Sequence, residues 1–218
     1  MMRLSGNDFQ IPETGHASPE SRRPPVNMRG LARSVNIMAS PKRRLLPVHP
    51  RDRQQVPVAV REAANRVNGD GGPWPLVFLG PVGTGKTCAA LCLADYVLER
   101  AVYYDLAGWC LRLEHARAGR LETDRGYAIS VLGAWHSWET AALGIIDELG
   151  GRERVSDYQR ETLLGLLGKR EGRPSVYISN LSIQQLAEVY DDRIASRLGG
   201  GTVVMFDGPD RRLQGNQV

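Results

Sequence analysis

The stretch Gly80-Pro81-Val82-Gly83-Thr84-Gly85-Lys86-Thr87 fits the pattern G-x-x-x-x-G-K-[ST] at every position. The apolar run Leu76-Val77-Phe78-Leu79 precedes it, as expected of a buried parallel strand, and a helical pattern begins at Lys86. Glycines allow the backbone to wrap a phosphate with its N–H groups, and the positive end of the next helix strengthens the attraction. We therefore predict a phosphate-binding loop between a strand and a helix.

The end of this loop predicts which phosphate compound binds. In loops of this pattern, a lysine such as Lys86 reaches the β and γ phosphates of a nucleoside triphosphate, and a hydroxyl such as that of Thr87 ligates Mg²⁺. ATP and Mg²⁺ are therefore the expected ligands, and Lys86 is also a catalytic candidate. The nucleotide-binding candidates are Gly80, Pro81, Val82, Gly83, Thr84, Gly85, Lys86 and Thr87.

A second apolar run ends in two acidic residues. Leu143-Gly144-Ile145-Ile146 is followed by Asp147 and Glu148. We predict that Asp147 holds Mg²⁺ through water and that Glu148 orients and deprotonates the attacking water. The adjacent glutamate favours hydrolysis over transfer of the phosphoryl group to a small molecule, since no substrate pocket or lid is evident in the sequence.

Two further polar features follow along the chain. Asn180 comes directly after the apolar segment 175–179, where its side chain is expected to reach the γ-phosphate or the attacking water; a turn or helix cap is the alternative. Arg193 and Arg197 are four residues apart and so share a helical face. We predict that both arginines act in trans, with Arg197 as the candidate arginine finger for the ATP of a neighbouring subunit; a surface helix with ordinary ion pairs is the alternative.

Predicted strands alternate with predicted helices along the chain. The strands cover 76–79, 101–105, 143–147, 175–179 and 202–206. The helices cover 86 to about 100, 106–118, 126–139, a segment capped by Ser156, and 183–198 with a break. This alternation predicts an α/β fold with a parallel sheet covered on both sides.

The basic charge is concentrated at the N-terminus. The chain has 218 residues and a net charge of +4, but its first 50 residues carry eight basic and three acidic residues and seven of the 13 prolines. Such a segment buries too little apolar area to offset its ordering entropy. We predict a largely disordered arm over 1–53, acting as a solvated linker or as a docking segment, and a folded domain over 54–218.

Arginines and tryptophans cluster between the two predicted nucleotide motifs. Arginine contacts to phosphates combined with aromatic stacking suit single-stranded DNA. An amphipathic surface helix with tryptophans in the core is the alternative. The possible DNA contacts are Arg112, Arg117 and Arg120, followed by Arg125, and the flanking aromatic residues are Trp109, Trp135 and Trp138.

Membrane and secretory classes are disfavoured by the sequence. Its apolar runs fall short of the roughly 18 residues that a membrane span needs, and the N-terminal stretch lacks the apolar centre of a signal peptide. The three cysteines have uneven spacing, which argues against a disulfide framework. We expect a cytoplasmic protein.

Together, the motifs G-x-x-G-x-G-K-T, I-I-D-E, I-S-N and D-R-I-A-S-R-L resemble those of the AAA+ ATPases. Their arrangement over about 54–212 is similar to the DnaC/DnaI-type loaders of the bacterial replicative helicase and to the IstB-like ATPase helpers of transposases. The resemblance implies a three-layer αβα P-loop NTPase fold with a five-stranded parallel sheet of order 5-1-4-3-2 and no C-terminal lid domain. It also implies a basic residue soon after the last strand, for which Arg211 or Arg212 is the candidate.

The resemblance further implies how such a chain works. ATP lies between the subunits of a helical or ring-like homo-oligomer that surrounds single-stranded DNA, and a replicative helicase is the partner. Hydrolysis is expected to be slow until DNA or the partner stimulates it. Two alternatives stay open: an ATPase that serves a transposase on duplex DNA, and a nucleotide-gated DNA-binding scaffold with little hydrolysis.

Overall fold

Parallel strands form the centre of the fold in the computed structural model, which describes residues 35–37, 57–64, 66–67, 72, 74–94, 97, 99–151 and 154–210. In chain order the elements are β1 Val35–Ile37, α1 Val58–Ala64, β2 Leu76–Leu79, α2 Lys86–Ala94, β3 Ala101–Asp105, α3 Leu106–Arg117, α4 Val131–Glu139, β4 Leu143–Leu149, α5 Asp157–Lys169, β5 Ser175–Ser179, α6 Ile183–Val189, α7 Asp192–Gly199 and β6 Thr202–Met205.

The strands lie side by side in the order β1-β3-β4-β5-β2-β6, and every pairing is parallel. The five strands from β2 onward have the predicted order 5-1-4-3-2, which confirms the α/β fold class. β1 adds a sixth strand beside β3, with Val35 opposite Ala101. This strand lies within the predicted N-terminal arm, and the rest of that arm lies outside the described residues, as do the basic candidates Arg211 and Arg212.

Two layers of helices cover the sheet. On one face, α1 and α2 pack with Phe78, Ile145 and Ile178 in one apolar cluster. On the other face, α3 to α7 pack with Val77, Ile146 and other strand residues in a second cluster. Because both faces are covered, β2 and β5 are buried along their whole length, as their continuous apolar runs predict. This arrangement is the predicted three-layer αβα sandwich.

Side-chain caps decide where several helices begin. Ser156 caps α5 in a capping box with Gln159, as predicted, and Ser182 caps α6 in the same way with Gln185. Ser130 accepts a hydrogen bond from the backbone N–H of Gly133, so α4 begins five residues later than the predicted helix over 126–139. The break predicted within 183–198 lies between α6 and α7.

A buried arginine joins the elements at the amino-terminal end of β4 and β5. Arg170 is 2% exposed, and its guanidinium donates to the carbonyl oxygens of Trp138, Ala141 and Pro174. Burial lowers the pKa of Arg170 to about 10, so the side chain stays protonated at neutral pH. These carbonyl groups belong to α4, to the segment before β4 and to the segment before β5, so Arg170 sets the spacing between α4, β4 and β5.

Within the described ranges, no helix is both long and apolar enough to cross a lipid bilayer.

Candidate nucleotide-binding site

The predicted phosphate loop connects β2 to α2 and depends on glycine at three positions. Gly80, Gly83 and Gly85 have φ angles of 139°, 79° and 98°, a region that residues with a Cβ rarely adopt. A Cβ on Gly80 would also overlap the carbonyl of Phe206, and one on Gly83 would overlap the carboxylate of Asp210. The glycines therefore allow both the sharp turns of the loop and the close approach of the segment after β6.

Lys86 lies underneath this loop. Its ammonium donates to the carbonyl oxygens of Gly80 and Pro81, each at 2.6 Å, and the residue is only 6% exposed. The hydroxyl of Thr84 donates to the Pro81 carbonyl at 2.9 Å, which ties the loop to its own start. The charge of Lys86 is thereby concentrated at the loop, where a phosphate would be bound.

Asp147 lies beside the loop and is held by three donors. Its Oδ2 atom accepts hydrogen bonds from the hydroxyls of Thr87 and Tyr103, each at 2.7 Å, and its Oδ1 atom accepts the backbone N–H of Glu148 at 2.7 Å. The aspartate is 3% exposed. The structure thus brings together the two predicted Mg²⁺ residues, Thr87 and Asp147. Tyr103 is a member of the site that the sequence analysis did not identify.

Glu148 departs from regular strand geometry. Its φ angle is 60°, the only positive value among the described residues other than glycine. The register between β4 and β5 shifts between Ile146 and Leu149, which is a β-bulge at the Asp147–Glu148 pair. A bulge redirects a side chain, and here it turns Glu148 to the exposed side while Asp147 stays buried. Strained backbone of this kind is typical of functional sites.

The turn after Glu148 is fixed by two hydroxyl groups. The Ser179 hydroxyl donates to the Leu149 carbonyl at 2.7 Å, and the Gly150 N–H donates to the Tyr190 hydroxyl at 3.0 Å. Burial raises the pKa of Tyr190, so its hydroxyl stays protonated at neutral pH. The strained residue is therefore followed by an anchored turn.

The strand register places Asn180 between the two motifs. Ser179 lies opposite Leu79, the residue before the phosphate loop, and also opposite Leu149, the residue after Glu148. Asn180 follows Ser179 and is exposed. Asn180 therefore lies at the carboxyl edge of the sheet, directly after the strand that the sequence predicts over 175–179.

The donor set fits a nucleoside triphosphate with Mg²⁺. Hard oxygen ligands, here the Thr87 hydroxyl and the Asp147 carboxylate, are those that Mg²⁺ prefers, together with phosphate oxygens and water. The glycine loop and the start of α2 offer backbone N–H groups and a helix N-terminus to an anion. Thr87, Asp147 and Lys86 would therefore hold the metal and the phosphates.

Arg193 and Arg197 lie on α7, outside the residues of the loop itself. Both are exposed on α7, whose buried face consists of Ile194, Ala195 and Leu198. α7 ends just before β6 begins, and the first residue of β6 pairs with the first residue of β2. Arg197, in the last turn of α7, therefore lies toward the amino-terminal edge, whereas the phosphate loop follows the carboxyl end of β2. A role for Arg197 at the site of its own chain is disfavoured.

The predicted DNA contacts differ in exposure. Arg112 is 4% exposed, and its guanidinium lies 5.6 Å from the ring centre of Tyr104, so it is not available to DNA in this conformation. Arg117 and Arg120 are exposed, and the Arg117 guanidinium lies 4.9 Å from the ring centre of Tyr158.

The tryptophans of this region belong to the core. Trp109 and Trp138 are fully buried and pack against each other, and Trp135 is partly buried against Trp109. The tryptophans are therefore core residues, as in the alternative, whereas exposed Arg117 and Arg120 stay predicted DNA contacts. The exposed aromatic residue of this region is Tyr127, at 69%, which lies two residues after Arg125 in the turn between α3 and α4.

Comparison with solved structures decides which fold this is. AMPPCP-bound DnaA from Aquifex aeolicus is similar with a TM-score of 0.55 and 20% sequence identity over 70% of this chain and 46% of that chain. The DnaC helicase loader is similar with a TM-score of 0.53 and 20% identity over 68% of this chain and 86% of that chain. DnaI is similar with a TM-score of 0.54 and 17% identity over 84% of this chain and 93% of that chain.

The chain has the AAA+ fold. This result agrees with the resemblance that the sequence motifs indicate. The chain spans about half the length of the DnaA structure and most of the length of DnaC and DnaI. No protein-family model and no curated protein matches the chain.

Proposed function

We propose that this chain is an AAA+ ATPase that acts as a loader of a replicative DNA helicase, assembling on single-stranded DNA with ATP at its subunit interfaces. The observation that carries the ATPase part of the proposal is the hydrogen bond between Thr87 and Asp147, which brings the acidic pair beside the glycine loop. A phosphate loop alone supports binding, whereas an adjacent carboxylate pair supports hydrolysis.

Each residue of the site has a proposed task. The loop N–H groups and Lys86 bind the phosphates, and Lys86 offsets the charge that develops on them during hydrolysis. Mg²⁺ held by Thr87 and Asp147 supplies further charge stabilisation when bound. Glu148 orients a water and accepts its proton, and Asn180 orients the γ-phosphate or that water.

The position of Arg197 supports ATP sites shared between subunits. Because Arg197 is exposed on α7 and distant from the phosphate loop of its own chain, an arginine contribution to hydrolysis would come from a neighbouring copy. Arginine fingers supplied in trans accelerate hydrolysis by about 10³- to 10⁵-fold. A single subunit is therefore expected to bind ATP and to hydrolyse it slowly.

The turn between α3 and α4 is the proposed DNA contact. Arg120, Arg125 and Tyr127 are exposed there, next to exposed Arg117 at the end of α3, and they combine positive charge with an aromatic face. Such a combination suits single strands without sequence preference. A DnaA structure bound to AMPPCP and single-stranded DNA, similar with a TM-score of 0.55 and 18% identity, supports this choice of nucleic acid.

A helicase is the proposed protein partner because DnaC, a helicase loader, and DnaI match over most of their length. A protein with this task works in the cytoplasm.

The experiment is sedimentation of the chain with ATP and Mg²⁺, with and without single-stranded DNA, followed by capture of a hexameric helicase. ATP-dependent assembly on single strands supports the proposal. A chain that stays monomeric and captures no helicase contradicts it, and capture of a transposase on duplex DNA favours that alternative.

A further inference from the structure

A tyrosine from the neighbouring strand contacts the acidic residue of the site. The Tyr103 hydroxyl donates to Asp147 Oδ2 at 2.7 Å, and the Thr87 hydroxyl donates to the same oxygen at the same distance. The two donors come from different elements, since Thr87 lies in the first turn of α2 and Tyr103 in the middle of β3. A carboxylate oxygen has two lone pairs, so both acceptor positions of Oδ2 are used.

These bonds determine how the carboxylate is turned. The torsion that rotates an aspartate carboxylate is soft, so its orientation depends on its hydrogen-bond partners. Oδ1 is held by the Glu148 N–H, and Oδ2 is held from two directions. Thr87 has two tasks, because its single hydroxyl is both a donor to Asp147 and the candidate Mg²⁺ ligand. Tyr103 shares the first of these tasks.

The strand register explains why a tyrosine reaches this position. Tyr103 lies opposite Ile145, and Asp147 is two residues farther along β4 on the same face of the sheet. A long side chain with a polar end spans this diagonal. Tyr103 is 2% exposed and packs in the apolar cluster with α1 and α2, so a phenylalanine would fill the same space without the donor.

We propose that Tyr103 is a positioning residue that holds the Asp147 carboxylate in the orientation that Mg²⁺-dependent nucleotide binding requires. The inference rests on the proposed ATP site. Hydrogen-bond partners of metal-binding carboxylates typically change metal affinity about 10- to 100-fold when they are removed. The expected effect of losing the Tyr103 hydroxyl is therefore on the metal dependence and not on the fold.

The adjacent residue provides a matched control. Tyr104 is 1% exposed and points to the opposite face of the sheet, and its hydroxyl has no hydrogen-bond partner among the described residues. Tyr103→Phe and Tyr104→Phe thus remove the same hydroxyl from neighbouring positions. ATP affinity is measured by calorimetry at a series of Mg²⁺ concentrations and in EDTA, with thermal melting to verify folding.

The expected result separates the two variants. Tyr103→Phe should need about tenfold more Mg²⁺ for half of the metal-dependent gain in affinity, with its affinity in EDTA unchanged. Tyr104→Phe should behave as the wild type. In an Asp147→Asn background, Tyr103→Phe should have no further effect, because the carboxylate that it orients is gone.

Two outcomes would overturn the inference while leaving the ATP site standing. One is the same metal dependence in Tyr103→Phe and Tyr104→Phe, and the other is an equal loss of affinity with Mg²⁺ and with EDTA. A wild-type chain that binds no ATP at any Mg²⁺ concentration would instead contradict the proposed function and the inference together.

Discussion

Thr87 Oγ1 and Asp147 Oδ2 lie 2.7 Å apart although 60 positions of sequence separate them. The contact joins the first turn of α2 to the carboxyl end of β4, and it exists because β4 and β2 flank the same strand, β5. Parallel strands bring their carboxyl ends to one edge of a sheet, so residues that follow different strands meet there. The order of the strands in the sheet therefore brings the residues of the nucleotide site together.

Lys86→Ala is expected to abolish ATP binding while leaving the fold intact. The ammonium of Lys86 lies at the loop and contacts Gly80 and Pro81, so its loss removes the charge that attracts the phosphates. Fluorescent-ATP titration measures the affinity, and circular dichroism reports on folding. Lys169→Ala, at the exposed end of α5, is the matched control. An unchanged ATP affinity in Lys86→Ala would remove the basis of the nucleotide site.

Glu148→Gln is expected to stop hydrolysis and to retain ATP binding. Glutamine keeps the shape of the side chain but cannot accept a proton at neutral pH, so the attacking water is not activated. Phosphate release with and without single-stranded DNA measures the loss, expected to be at least about 100-fold. Turnover equal to that of the wild type would mean that Glu148 does not have the proposed role.

The backbone of Glu148 gives a separate stability prediction. Its φ of 60° is unfavourable for any residue with a Cβ. Glu148→Gly is therefore expected to be more stable than Glu148→Ala by about 1 kcal/mol, although both lose the same carboxylate. Urea denaturation of the two variants measures the difference. Equal stability would show that position 148 is not strained.

Arg197→Ala is expected to spare ATP binding and to impair DNA-stimulated hydrolysis. The side chain is exposed on α7, so the free energy of unfolding should change by less than about 0.5 kcal/mol. Mixing Arg197→Ala with Glu148→Gln should restore part of the activity, because some interfaces then pair an intact Glu148 with an intact Arg197. No recovery in the mixture would argue against a role in trans.

Arg120→Ala and Arg125→Ala are each expected to weaken binding to single-stranded DNA and to reduce its salt dependence. Each phosphate contact with a single strand contributes about 0.7 to the slope of log affinity against log salt. Fluorescence anisotropy over a salt series measures the slope. The control is Arg173→Ala, another exposed arginine, which lies just before β5. Equal slopes in all three variants would exclude the α3–α4 turn as the contact.

Arg170→Leu is expected to lower the free energy of unfolding by about 3 kcal/mol. The substitution removes the guanidinium that binds the carbonyl oxygens of Trp138 and Ala141, and buried unpaired polar groups cost about 1–3 kcal/mol each. The Pro174 carbonyl also loses this donor but keeps the backbone N–H of Gly144. Arg173→Ala should cost much less, since Arg173 is exposed and donates to a single carbonyl. Similar losses in both variants would contradict the structural role of Arg170.

The strands were the most predictable elements of the fold. Strands buried on both faces are continuous apolar runs, and the predicted 101–105 and 175–179 agree with β3 and β5 at both ends. The predicted strand over 143–147 is shorter than β4 because the bulge at Glu148 lets pairing continue to Leu149. No local pattern distinguishes a bulged Glu148 from one that ends a strand.

The environment of individual side chains was less predictable. Tyr103 reads as an ordinary strand residue, and its contact with Asp147 depends on a register that a single sequence does not contain. The burial of Arg112, by contrast, is indicated by its spacing in the sequence. Arg112 lies three residues after Trp109 on the helical stripe that continues through Leu113 and Ala116, all of them buried. That spacing indicates the core-facing side of α3 despite the charge.

The left-handed backbone at Glu148 implies a trade-off between thermal stability and catalytic activity. At this position the conformation favours glycine, yet the proposed chemistry requires a carboxylate, so the best residue for thermal stability and the best residue for hydrolysis are different. A laboratory selection of random variants for heat resistance alone should enrich glycine at 148. The same selection with ATP turnover included should keep the glutamate and find its stabilising changes elsewhere in the chain.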